Sequence, residues 1–168
     1  MKSIFQLFWR ICLFRDGPET IPASNVLLLL TLFANAALNI VVQLAWGGEN
    51  VTALRAFTIA IVSLAGTGGL VWFVMMLMSL TTRLPQTLTA IFGVEVILTS
   101  LSALLLLSSD ALGTSVTRFV ITMLTLWSLA VYGFIFHRAL NIHIGFGFGM
   151  ALFVVIFSMA ITQTALAT

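Results

Sequence analysis

Apolar residues fill this chain in long runs, and short polar stretches interrupt them at regular intervals. Runs of about 20 apolar residues match the thickness of a bilayer core of about 30 Å. The pattern predicts five membrane-spanning helices. The first covers Asn25 to Trp46, 22 residues, or about 33 Å at 1.5 Å per residue. Trp46 falls at its end, where an amphipathic ring prefers the interface. Gly47-Gly48-Glu49-Asn50 reads as a turn. The second span covers Ala53 to Leu80 and is long enough to tilt or protrude. The third covers Thr87 to Ser108, after the loop LTTRLPQ with Pro85 near the helix start. The fourth covers Thr117 to His137, after SSDALGTS. The fifth covers Ile144 to Leu166, after the short turn RALNIH.

Ahead of the spans the pattern changes. In SIFQLFWRICLF (3–14), Lys2, Gln6 and Arg10 recur every four residues as a narrow polar stripe, and Ile4, Phe5, Phe8, Trp9, Ile11 and Leu13 cover the rest. About 18 Å of helix is too short to cross a bilayer, so this segment is expected to lie in the headgroup plane as an amphipathic interfacial helix. Gly17-Pro18 is expected to stop it. Arg10 breaks the early apolar run and no small-residue cleavage site follows, so no signal peptide is read. The segment FRDGPETIPAS, with Arg15, Asp16 and Glu19, reads either as a solvated elbow or as a docking surface for a partner. The domain division is thus 1–24, interfacial helix and linker, followed by 25–168, the transmembrane domain.

Composition supports the class. Of 168 residues, 61% are hydrophobic and 7% charged, against roughly 25% charged in a soluble domain. So little charge cannot clothe a water-facing surface, and lipid is the expected solvent. The net charge of +2 is too small and dispersed for a nucleic-acid partner. The single cysteine, Cys12, forms no internal disulfide; it reads as a core or interface side chain, with palmitoylation the alternative. Under a five-span topology, Lys2, Arg10, Arg15, Arg83 and Arg138 share one side and Arg55 and Arg118 the other. That bias predicts a cytoplasmic N-terminus and a C-terminus outside.

Within the apolar runs a few polar groups stand out. Glu95, in AIFGVEVILTSLSALLLL (Ala90–Leu107), is the one charged residue well inside a span. A carboxyl at that depth is expensive unless it faces protein or water. Asn35, Asn39 and Gln43 lie at i, i+4, i+8 on one face of the first span. Asn35 and Glu95 enter their spans to similar depths, so they meet if those spans are neighbours. Thr99 and Ser102 extend the Glu95 face, and Thr125, Ser128 and Tyr132 recur on one face of the fourth span. This cluster reads as interhelical hydrogen bonding, worth about 0.6 kcal/mol per bond in membranes, or as a site for an ion, proton or headgroup. A proton pathway needs a relay of titratable groups, and with Glu95 the only charged residue well inside a span the pattern weighs against transport.

Other motifs are bland. Gly66, Gly68 and Gly69, and Gly145, Gly147 and Gly149, predict close helix packing. GFGFG follows no strand and lacks a Lys-Ser/Thr partner, so it is no phosphate loop. Met75 to Met78 reads as apolar filler rather than a metal site. His137 and His143 have no cysteine or carboxylate near them in sequence, which favours headgroup contact beside Arg138 over metal binding. No catalytic constellation and no cofactor motif is legible.

The runs QTLTAIFGVEVILTSLSALLLL (86–107) and TLWSLAVYGFIFHRALNIHIGFGFGMALFVVIFSMAI (125–161) resemble the membrane domain of the YIP family, the Ypt-interacting proteins. The likeness spans about 25–168 and rests on span number, the short fourth loop, and Trp127-Ser128-Leu129 leading into a small-residue fifth span. It implies five spans and a cytoplasmic N-terminus. Eukaryotic members carry a long hydrophilic N-terminal region, whereas about 24 residues precede the first span here, which implies a bacterial inner-membrane relative without the family's trafficking partners. The expected protein is an all-α, five-helix membrane protein of non-enzymatic function. It would be an organiser or accessory subunit binding lipid or a larger membrane complex, with a membrane-protein partner or a second copy of itself. The alternative is a small transporter or channel subunit built on Glu95. Arg10, Arg15, Asp16, Glu19, His137 and Arg138 are the expected partner or headgroup contacts.

Overall fold

The computed structural model describes residues 4–46, 52–109 and 113–167, and the side chains of these except at 161, 162 and 164–167. Lys2, the turn Gly47–Asn50 and part of SSDALGTS lie outside the described residues. Every described element is a helix: α1 (Ile4–Cys12), α2 (Asn25–Trp46), α3 (Ala53–Leu77), α4 (Leu84–Leu107), α5 (Thr114–Leu140) and α6 (Ile144–Ala167), with single 3-10 turns at Pro18–Thr20 and Thr81–Arg83. Four segments, Asn25–Trp46, Ala53–Leu77, Thr81–Leu107 and Thr114–Leu140, are long and apolar enough to cross a membrane. The protein is therefore a membrane-embedded helical protein. The described apolar part of α6, Ile144–Ala160, is shorter.

Local chemistry sets the helix ends. Ser24 Oγ accepts from the backbone N–H of Leu27 and Thr52 Oγ1 from that of Arg55, capping α2 and α3 at their starts. α3 stops at Leu77, short of the expected Leu80, because Ser79 turns left-handed (φ 56°) and Leu80 N donates back to the Met75 carbonyl at 2.9 Å. This closure satisfies carbonyls that the helix end leaves without partners. α4 begins at Leu84 rather than Thr87, with Pro85 in its first turn, where a missing N–H costs nothing. α5 extends past both expected ends and stops at Asn141 in the left-handed region (φ 54°, ψ 40°).

The five long helices close a ring. α2 packs on α4, α4 on α5, α5 on α6, α6 on α3 and α3 on α2. Large side chains such as Phe33, Phe57, Phe119 and Phe146 point outward, as suits a protein whose solvent is hydrocarbon. Small residues make the inner seams. A Cβ on Gly147 of α6 would lie 2.5 Å from the Gly133 carbonyl oxygen and 2.8 Å from the His137 nitrogen of α5, so the two backbones touch. Gly68, Gly69, Gly145 and Gly149 meet no such crowding; Gly147 makes a close approach, opposite Gly133. Across the α3–α6 seam Thr67 Oγ1 and Ser158 Oγ share a hydrogen bond of 3.1 Å.

One face of α1 packs into the bundle: Phe8, Ile11 and Cys12 are buried in its core, against α4 and α5. Gly93 is the reason. The Phe8 ring occupies the space where a Gly93 Cβ would stand. Trp127 Nε1 of α5 donates to the Cys12 carbonyl at 3.1 Å. Ile4, Phe5 and Trp9 remain exposed. The stop also comes early, at Phe14, which adopts φ 58° and sets its ring 5.6 Å from Trp127 and 5.5 Å from Phe134. Such ring packing offsets the roughly 1–2 kcal/mol cost of a left-handed non-glycine residue. Burial pushes the Cys12 thiol up to about 11, so Cys12 is a core side chain rather than a reactive thiol.

Packing is uneven along the ring axis. The dense core joins α1, the last turns of α3 (Val71, Met75), the first half of α4 (Ile91, Val94) and the end of α5 (Val131, Ile135, Phe136). The opposite half is looser. Gly147→Ala is expected to lower stability in detergent by about 1–3 kcal/mol through overpacking, whereas Gly149→Ala, with nothing in its way, should be neutral or slightly stabilising. Thermal unfolding of both variants checks this; equal losses would contradict the α5–α6 seam.

Candidate functional site: the Glu95 cavity

Depth brings three helices' polar groups together. Asn35 is ten residues into α2 and Glu95 eleven into α4, about 15 and 16 Å along their axes. Tyr132 lies eight residues before the end of α5, about 12 Å from the same end of the bundle. Because α4 packs between α2 and α5, its Glu95 reaches both. Asn35 Nδ2 donates to Glu95 Oε2 at 2.7 Å, and Tyr132 Oη donates to Glu95 Oε1 at 2.6 Å. Asn39 Nδ2 donates to Asn35 Oδ1 at 2.9 Å and to its carbonyl at 3.0 Å. One amide thus orients the next, and Asn35, 2% exposed, is held with its donor aimed at the carboxyl.

The carboxyl is not sealed. Glu95 is half-buried and borders a cavity of about 200 Å³ among α2, α3, α4 and α5. α2 contributes Asn35 and Asn39, α3 Ser63, α4 Glu95, Thr99 and Ser102, and α5 Thr125, Ser128 and Tyr132, with Phe92 and Leu98 among the apolar remainder. A void of this size and polarity has room for several waters. Of the expected cluster, Glu95, Asn35, Asn39, Thr99 and Ser128 line it. Gln43 does not: two turns beyond Asn35, it borders a second cavity with Ser158 and Gln163 of α6.

The sequence pattern leaves out one contributor, Ser63, and the role of another, Tyr132. Tyr132 shows as a member of the α5 polar face and as the chain's single tyrosine, but its role as a donor depends on the α4–α5 contact. Ser63 looks like a small packing residue and instead faces the cavity.

The expected partner or headgroup contacts are mostly tied to one another or to the backbone, although Arg15, Glu19 and Arg138 are exposed. Arg10 holds Asp16 with two hydrogen bonds, Nε to Oδ2 at 2.6 Å and Nη2 to Oδ1 at 3.2 Å. Arg138 forms an ion pair with Glu19. His137 Nδ1 donates to the Ile142 carbonyl and ties the α5–α6 turn. Arg15 is exposed. The linker is no free elbow either: Pro18 and Ile21 are buried, and Gln86 Nε2 donates to the Ile21 carbonyl at 2.9 Å. Arg83, absent from the sequence reading of the site, shares a surface cleft of about 270 Å³ with Glu19, His137, Arg138 and Asn141. Among the described residues no group of three or more His, Cys, Asp or Glu is placed to hold a metal ion.

A double-mutant cycle between Asn35→Ala and Glu95→Ala is expected to give a coupling of about 0.6–2 kcal/mol in detergent unfolding. The cycle of Gln43→Ala with Glu95→Ala should give none; coupling at Gln43 as strong as at Asn35 would contradict the cavity's boundary. No known protein family, characterised protein or solved structure matches the chain.

Proposed function

We propose that this is a five-span, non-enzymatic membrane protein of the small transporter or channel-subunit class, with Glu95 as its intramembrane binding group. The observation that carries the reading is the void beside a fixed carboxyl. Helix-to-helix glue needs donors and acceptors in contact; it gains nothing from an open space of about 200 Å³ at their centre, whose lining forgoes packing contacts. A binding site needs both. Asn35 and Tyr132 hold the two oxygens in place before any ligand arrives, which is preorganisation.

The fifth span is part of the proposal. α6 closes the ring between α5 and α3, the role expected of a membrane helix. The basic-residue bias supports a cytoplasmic N-terminus, and the resemblance to the YIP membrane domain would imply the same count and orientation, in a bacterial inner membrane. A reporter active only outside the cytoplasm should work when fused at the C-terminus; a reporter active only inside should not. The reverse outcome refutes five spans or the orientation.

A second reading, an organiser or accessory subunit that binds lipid or a larger membrane complex, draws on one observation. Two guanidiniums, Arg83 and Arg138, and His137 face one carboxylate, Glu19, in the cleft at the α1 end of the bundle, a basic surface suited to an anionic headgroup. Reconstitution separates the readings. Purified protein in liposomes should pass monovalent cations or protons down a gradient, and Glu95→Gln should abolish the flux while leaving a monodisperse, stable protein. Flux no greater than in empty liposomes sinks the transport reading. Anionic lipid that co-purifies with the native chain and is lost from an Arg83→Ala, Arg138→Ala variant would then favour the second.

A further inference from the structure

The Glu95 cavity has a neighbour. A second cavity of about 360 Å³ lies among α2, α3 and α6. Asn39, Ala60 and Ser63 line both, so the two voids meet across these three side chains. The outer one is bounded by Gln43 near the end of α2, Ile59 early in α3 and Gln163 near the end of α6. All three mark the end of the bundle where α2 finishes and α3 begins. At the other end the way is filled: Ile91 and Val94 of α4, Val71 and Met75 of α3, and Ile135 and Phe136 of α5 form the dense core.

The walls also have a sign. Among the described residues no lysine, arginine or histidine lines either cavity. Ser102 Oγ, Thr125 Oγ1 and Ser128 Oγ donate to the carbonyls of Leu98, Ile121 and Thr125 at 3.0, 2.9 and 2.7 Å. A hydroxyl that has spent its proton on the backbone offers a neighbour only lone pairs. With the Glu95 carboxyl these oxygens make a wall rich in acceptors.

We propose that the two cavities form one vestibule that admits small monovalent cations to Glu95 from the α2–α3 end of the bundle only. The proposal rests on the reading of the Glu95 cavity as a binding site and adds its ligand class and its side of access. Cations fit because an acceptor-lined cleft in low dielectric concentrates positive charge and rejects anions. Access is one-sided because a close-packed core leaves no space for water.

Cysteine accessibility in the full chain tests it. Gln43→Cys and Ser63→Cys report on the outer and shared parts of the vestibule, Arg15→Cys marks the α1 end, and native Cys12, buried in the core, is the blank. Sealed membrane vesicles of the two orientations are treated with impermeant cationic (trimethylammonio)ethyl methanethiosulfonate or anionic sulfonatoethyl methanethiosulfonate. Gln43→Cys and Ser63→Cys should label only in the vesicles in which Arg15→Cys does not. At Ser63→Cys the cationic-to-anionic rate ratio should exceed that at Arg15→Cys by about tenfold, and Glu95→Gln should remove the excess. Labelling from the Arg15 side, from both sides or from neither overturns the proposal, as does an unchanged ratio. Two further results separate it from the transport reading. This labelling pattern with Glu95-independent flux supports the vestibule and removes the transport role. Glu95-dependent flux with labelling from the Arg15 side retains the role and overturns the vestibule.

Discussion

A carboxyl group in the middle of a hydrocarbon layer is the constraint on which this architecture turns. Lipid offers Glu95 no hydrogen-bond donor, and an unmet acceptor at that depth costs several kcal/mol. The chain supplies two donors from two different helices: Asn35 from α2 and Tyr132 from α5. That requirement places α4 between α2 and α5, and the rest of the ring closes around this triplet. The arrangement is a chain of orientation as well as a pair of bonds, since Asn39 fixes Asn35 and Asn35 fixes the carboxyl.

The bundle invests its packing at one end. α1 adds Phe8, Ile11 and Cys12 to a core already crowded by α3, α4 and α5, and the seat for Phe8 exists because position 93 has no side chain. At the other end, hydroxyls and amides stand where large apolar groups would otherwise fill the space, and cavities result. In water such an interior would be hard to hold together. In a bilayer the hydrophobic effect does not drive helices against each other, so close backbone contacts such as Gly147 on Gly133 and sparse polar bonds such as Thr67 with Ser158 can carry association.

Charge outside the spans serves the fold first. Arg10 and Asp16 close the end of α1, while Arg138 and Glu19 join the end of α5 to the linker. An exposed pair such as Arg138 with Glu19 contributes little to stability, about 0–1 kcal/mol. The effect of the two pairs is positional: they hold the linker against the bundle at the end where Arg83 and His137 also gather.

Much of this was legible in the residues themselves. Long apolar runs bounded by polar turns specify membrane helices because lipid rejects any unpaired backbone, and α2 begins and ends where that pattern predicts. A single carboxyl inside an apolar run marks an interior, and equal depth in parallel spans pairs Asn35 with Glu95 once they are neighbours. What sequence cannot carry is adjacency. Amphipathic spacing in α1 does not tell which apolar residues meet protein; the gap at Gly93 seats Phe8 in the bundle, while Ile4, Phe5 and Trp9 stay exposed. The i, i+4, i+8 stripe of Asn35, Asn39 and Gln43 looks like one surface, but the helix carries Gln43 about 12 Å farther along its axis, out of the Glu95 cavity and into the next. Tyr132 became the second donor only because α5 packs on α4. Depth is a one-dimensional quantity that the chain encodes directly; which helix stands beside which is two-dimensional, and tertiary packing alone decided it.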